Sequence, residues 1–141
     1  MATTINPYIG FNGQCRQAMA FYQQCLDGGE LNLMPVEGSP IESQCPPAMK
    51  TQIMHSTLTK GPIVIMGTDM VGPGGYVKGN MIAISFNCSS EEEINDLYNK
   101  FGEGGEIIDP LGVKFWGGMF GVLNDKYGVT WMFNYSKDEQ N

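Results

Sequence analysis

The sequence predicts an α+β fold made of two tandem βαβββ modules. Three observations lead there. An internal repeat spans the chain: FYQQCLDGGEL from Phe21 matches LYNKFGEGGEI from Leu97, 76 residues on. The segments before and after it also match, IGFN at 9–12 with ISFN at 84–87 and GPIVIM from Gly61 with GVTWMF from Gly128, at offsets of 75 and 67. Within each copy the apolar periodicity changes in the same order, strand, helix, then three strands. The reading is a single domain over 1–141, with module one at 4–70 and module two at 79–136.

In module one, residues 4–11 are β-rich and stop at Asn12-Gly13, a turn pair. Residues 14–26 place Ala18, Phe21, Tyr22 and Cys25 at helical spacing, and Gly28-Gly29 closes that helix. ELNLMPV at 30–36 reads as a strand. The proline-bearing segment 37–50 reads as a loop, about nine residues longer than its counterpart. TQIMHSTLT (51–59) and PIVIMGT (62–68) form a hairpin about Lys60-Gly61. The glycine-rich run VGPGGYVKG at 71–79 lacks the Gly-Lys-Ser/Thr of a phosphate loop and leads into a strand, so it reads as a connector.

Module two repeats the order. Strand 80–87 alternates Ile82, Ile84 and Phe86 against Met81, Ala83 and Ser85. Ser89 or Ser90 caps a helix opening with Glu91, Glu92 and Glu93, whose charge suits the positive helix end. Ile94, Leu97, Tyr98 and Phe101 form its buried stripe, and Gly104-Gly105 stops it. Strands at 106–109, 115–124 and 128–135 follow, the last two joined by DKYG at 125–128.

Composition bounds the partners. The hydrophobic fraction of 42% and charged fraction of 16% fit a globular chain. No apolar run is long enough to span a membrane, and a net charge of −7 disfavours nucleic acid and anionic membranes as partners. Cysteines at 15, 25, 45 and 88 form no CxxC pair, and the N-terminus has no signal-peptide pattern; free thiols in a cytoplasmic protein are the expectation. The 19 glycines read as many tight turns, and the ten methionines as an adaptable interior or pocket.

The motifs PYIGFNG at 7–13, Phe21-Tyr22, Gly28-Gly29, and Phe115-Trp116-Gly117 with Asp125, Gly128 and Trp131 resemble the glyoxalase/bleomycin-resistance superfamily, also called vicinal oxygen chelate. More narrowly they resemble its PhnB-like branch, labelled 3-demethylubiquinone-9 3-methyltransferase-like. Nothing in the chain resembles a methyl-donor site. The resemblance covers about residues 5–135. It implies two modules of curved mixed sheet around a cleft. It also implies that metal-using members take ligands from the first strand of each module and from the last strand. Those places fall on Pro7, Met81 and Met132. Proline offers no side-chain donor and methionine is too soft for the usual ions, so no metal and no other cofactor is expected.

His55 is the sole histidine. It shares a strand face with Ile53 and Thr57, opposite Met54, Ser56 and Leu58. It is a candidate general base or hydrogen-bond anchor, with a packed structural histidine as the alternative. Trp116 and Trp131, read on facing strands, floor a pocket or pack the core. Thr130, Met132 and Asn134 share the row opposite Val129, Trp131 and Phe133. Cys15, in a first helical turn, is placed where a thiol pKa can fall, but no second histidine serves it as base. Asp69, Asp109 and Asp125 read as turn or cap residues at strand ends.

The expected function is therefore binding of a small apolar or aromatic molecule in the inter-module cleft, by Tyr8, His55, Met81, Trp116, Met132 and Asn134, with His55 as the candidate catalytic residue. Whether a reaction follows is open. The alternatives are a divalent-metal-dependent lyase or dioxygenase with unusual ligands, and a scaffold without a ligand. Apolar residues on both rows of several strands, with the resemblance, point to a homodimer.

Overall fold

A computed structural model describes residues 2–137. The chain divides into two compact units, Met1–Lys78 and Gly79–Asn141, so the boundary falls at the end of the glycine-rich connector. Each unit has the βαβββ order: β1 (Tyr8–Gly10), α1 (Cys15–Cys25), β2 (Glu30–Pro35), β3 (Ile53–Lys60) and β4 (Ile63–Thr68), then β5 (Ile84–Asn87), α2 (Glu91–Phe101), β6 (Glu106–Val113), β7 (Met119–Asn124) and β8 (Thr130–Tyr135). The sheets run β1-β4-β3-β2 and β5-β8-β7-β6, with the first-listed strand of each parallel to its neighbour and the rest antiparallel. The predicted α+β class and two-module order are what the structure has.

Element bounds differ from the sequence reading in a few places. The strand expected over 4–11 pairs only from Tyr8, since Pro7 has no amide hydrogen to give. The strand expected over 80–87 begins at Ile84. β6 continues to Val113 through Pro110, which an edge strand with two register irregularities tolerates. The segment 115–118 is a turn, not the start of a strand. The loop 37–50 carries two short 3-10 turns, Glu42–Gln44 and Pro47–Met49.

In the first unit, α1 lays Cys15, Ala18, Met19, Tyr22 and Cys25 against Ser56, Leu58 and Ile65, all buried. Its end is a Schellman turn: the Asp27 amide bonds the Gln24 carbonyl and the Gly28 amide bonds that of Gln23. Asp27, at φ 58, takes the left-handed position expected of a glycine. Gly29 is needed for another reason: a Cβ there would lie 2.9 Å from the Thr59 carbonyl oxygen. In the second unit the core is aromatic. Phe86 stacks on Phe133 with centroids 5.4 Å apart, and Phe101 meets Trp131 edge-on at 4.9 Å. Such pairs add to the area they bury.

The two helices are capped differently. Ser90 Oγ accepts from the Glu93 amide, and the Glu93 carboxylate accepts from the Ser89 amide, a local box. The Gln14 side chain caps nothing at α1; the Cys15 amide donates instead to Asp69 Oδ1 at 2.9 Å, and Asp69 Oδ2 accepts from the Ile53 amide at 2.8 Å. Asp125 does similar work in the β7–β8 turn. Its Oδ1 accepts from the Tyr127 and Val129 amides and its Oδ2 from the Trp131 indole. Asp69 and Asp125 are thus the cap and turn residues the sequence predicts. Asp109 instead lies inside β6, paired with Lys114 at 2.9 Å.

Candidate functional site

Alternation along β3 sends Ser56 and Leu58 toward α1 and leaves His55, Thr57 and Thr59 on the open face of the first sheet. The register then fixes their neighbours. Thr57 lies opposite Asn32 on one side and Met66 on the other, His55 lies opposite Met34, and Tyr8 lies opposite Met66. Residues paired across a sheet share a face, so these six side chains form one polar and apolar surface.

At its β2 side, the segment after β2 turns back beside the sheet. The Val36 amide bonds the Gln52 carbonyl and the Glu37 amide bonds that of Lys50. Between this segment and the strands lies an open hollow of about 610 Å³. Asn32, Leu33, Met34, Pro35, Glu37, Gly38, Ser39, Pro40, His55 and Thr57 line it. A hollow of this size suits a small organic molecule. His55 is half-buried; its Nε2 is 3.2 Å from Thr57 Oγ1, and its ring lies 5.7 Å from the Tyr8 ring at a tilt of 32°.

Of the sequence-predicted residues, the first unit brings Tyr8 and His55 together. Tyr8 remains 54% exposed. The second unit places Met132 and Asn134 on the open row of β8, with Trp131 and Phe133 buried on the other, as the alternation predicts. Met132 pairs with Ser85 and Val122, and Asn134 with Asn87 and Phe120. Trp116 does not face Trp131 from a strand. It lies in the β6–β7 turn, 52% exposed, against Phe115 and Phe120, because Gly117 at φ 91 reverses the chain there. Met81 precedes β5 and is 89% exposed. Sequence reasoning missed Asn32, Met34, Glu37 and Ser39. The alternation of ELNLMP already sets Asn32 and Met34 on one row, whereas the loop residues carry no periodic signal.

The thiols stand apart from this surface. Burial pushes the Cys15 thiol up to about 11 despite its contact with Ser56, and burial pushes Cys88 up to about 12. The first-turn position that can lower a thiol pKa is thus outweighed at Cys15 by desolvation. Burial also raises the Tyr98 phenol, which donates to the Asp109 carbonyl at 3.1 Å.

The model of the Glyoxalase/Bleomycin resistance protein/Dioxygenase superfamily matches residues 4–133. The chain belongs to this superfamily. It is similar to Protein YjdN of Escherichia coli (strain K12), 29% identical over 144 residues that cover 96% of this chain and 97% of that one. It is similar to the crystal structure of PA1353 from Pseudomonas aeruginosa, at 38% identity and TM-score 0.81, covering 96% of this chain and 98% of that one. The PhnB protein from Bacillus cereus is 27% identical with TM-score 0.76, covering 95% of this chain and all of that one. The ion used by metal-dependent glyoxalase-superfamily members does not fit the residues present. Pro7 contributes only its carbonyl, taken by the Met66 amide, and Met81 lies outside any strand. Met132 offers a thioether, and among the described residues no three His, Cys, Asp or Glu side chains gather where they could hold an ion. No helix among those residues is long and apolar enough to cross a membrane.

Proposed function

We propose that this glyoxalase-superfamily chain binds a small molecule of apolar or aromatic body in the hollow beside His55, with His55 as its polar anchor. The observation that supports this is the lining itself. Met34, Pro35 and Pro40 give apolar surface, and Asn32, Thr57 and His55 converge as polar groups on one side. That combination of apolar walls and a few placed polar groups is what ligand sites share. Binding takes no resident metal or other cofactor, and the partner is a small molecule rather than nucleic acid or membrane.

The test is an unbiased metabolite thermal-shift screen, since a ligand stabilises the state it binds. Hits are repeated on Met34→Glu and His55→Ala. Both side chains line the hollow, and both variants are expected to lose the shift. Hits that persist in both would place binding elsewhere and overturn the proposal. Metal analysis of freshly purified protein checks the metal-free part, which a stoichiometric divalent ion would refute. The proposal extends to a homodimer, supported by exposed apolar side chains such as Ile5, Val113 and Phe115. A light-scattering mass near the 15.5 kDa of one chain would reject it.

A further inference from the structure

We infer that Asn12-Gly13 is a self-modifying site: the folded chain converts Asn12 to aspartate and isoaspartate with loss of ammonia, and so gains one negative charge in the turn between β1 and α1.

The reaction needs a nucleophile and a clear path to it. The backbone nitrogen of the residue after an asparagine attacks the side-chain carbonyl carbon, and a Cβ on that residue crowds the approach, which glycine avoids. Asn12 is the one asparagine followed by glycine. Every other asparagine that has a successor precedes a residue with a Cβ, and at Asn6 that residue is Pro7, which has no amide proton to lose.

The structure leaves this pair open. Asn12 and Gly13 are both exposed. Among the described residues neither the Asn12 side chain nor the Gly13 amide makes a hydrogen bond. The anchors on either side lie outside the reacting peptide: the Phe11 amide donates to the Thr68 carbonyl at 2.8 Å, and the Cys15 amide donates to Asp69 Oδ1 at 2.9 Å. A Cβ built at Gly13 would meet only Gln52 Nε2, at 3.7 Å, so little is packed against the turn.

The chain carries its own comparison. Asp27-Gly28 is the one aspartate–glycine pair, and it can close the same five-membered ring. Its glycine amide, however, donates to the Gln23 carbonyl at 2.9 Å in the turn that ends α1. That nitrogen must give up a hydrogen bond before it can attack, and Gly13 has none to give up.

The atoms balance with water as the sole co-reactant. The Gly13 nitrogen loses its proton to a buffer base and bonds to Asn12 Cγ. The Cγ–Nδ2 bond breaks, and ammonia leaves with a returned proton. One water then opens the succinimide. Opening at Cγ gives aspartate on an unchanged backbone, and opening at the main-chain carbonyl gives isoaspartate with one more carbon in the backbone. No atom changes oxidation state, and the net charge becomes one unit more negative than −7.

The test ages the full chain in near-neutral buffer, folded and in guanidinium chloride. Isoelectric focusing reads the added charge, with Asn12→Asp as marker, and peptide mass spectrometry locates aspartate and isoaspartate. Asn12 is expected to be the first asparagine converted in the folded chain. The fold should slow isomerisation at Asp27 about fivefold relative to denaturant, the worth of one net hydrogen bond, and should slow Asn12 less. Earlier conversion at another asparagine overturns the inference, and so does protection of Asn12 equal to or greater than that of Asp27. Both readings come from the wild-type chain and depend on no variant's folding. Gly13→Ala should slow conversion at Asn12 several-fold even in denaturant, because the Cβ acts in either state; an unchanged rate there also overturns the inference.

Discussion

Replacing Asp69 by alanine removes two acceptors at once. Its carboxylate is 5% exposed and holds the Cys15 amide through one oxygen and the Ile53 amide through the other. Cys15 and Ile53 are themselves fully buried, so alanine leaves two amides without a partner and without easy access to water. A buried unsatisfied group costs about 1–3 kcal/mol, which sets the expected loss near 3 kcal/mol for the pair. With a urea slope of about 2 kcal/mol/M, the midpoint falls by roughly 1.5 M. Asparagine keeps one acceptor oxygen and should cost about half as much. The assay is urea unfolding combined with amide hydrogen exchange, which localises the effect. Faster exchange at Cys15 and Ile53, with Glu93 in the second unit unchanged, is the expected pattern. An alanine variant within about 0.5 kcal/mol of wild type, the usual scatter of a harmless surface change, would refute the assigned role.

Three further outcomes follow from the packing. Ser90→Ala should destabilise α2 by about 1 kcal/mol, and Ser90→Thr should recover most of it; equal losses in both would show that the hydroxyl is not the cap. Gly121→Ala would set a Cβ 2.7 Å from the Tyr98 ring and 3.0 Å from the Leu111 Cα, so a loss of about 2 kcal/mol is expected in thermal melts, and an unchanged melt would count against that close approach. Cys15 and Cys88 are raised to about 11 and about 12 in the fold, which therefore favours their protonated forms. That contribution is complete below the ordinary value of 9.0 and is lost as pH climbs through the raised values. Melting temperature should fall above pH 9 and fall less in Cys88→Ala, and a thiol reagent at pH 8 should find Cys45 first, the one cysteine not buried; rapid labelling of Cys15 would contradict this.

The helices were legible because burial on one stripe leaves a 3.6-residue signature. Ile94, Leu97, Tyr98 and Phe101 are buried as their spacing predicts. Strand ends were less legible, because a strand stops where its partner stops. β5 pairs Ile84 with Trp131, so residues 79–82 would fall opposite 126–129, where the chain is turning. No property of Met81 or Ile82 reveals that. The same limit moved Trp116 from a strand to a turn, because Gly117 at φ 91 decides the backbone there. For the candidate site, the polar row of β3 exposed His55, and the alternation of β2 and β3 put Asn32 and Thr57 within reach. The wall formed by 37–40 was not legible, because it depends on amides of Val36 and Glu37 finding carbonyls of Gln52 and Lys50, a pairing that side-chain pattern does not encode.

The edges of the two sheets bear on how the chain behaves when crowded. Each sheet ends in one very short strand, β1 with three residues and β5 with four, and one longer strand, β2 or β6. A long flat edge with free amides is a template for adding strands from other molecules. β2 closes on Pro35, and β6 carries Pro110 near its middle, inside the second of its two register breaks. A proline cannot donate to an incoming strand, and a broken register cannot be copied in phase by a regular one. The apolar pair Ile107-Ile108, half-exposed on that edge, is therefore followed within two residues by an interruption to any growing ladder. β6 thus gains resistance to cross-β assembly from the same irregularities that make its own pairing imperfect.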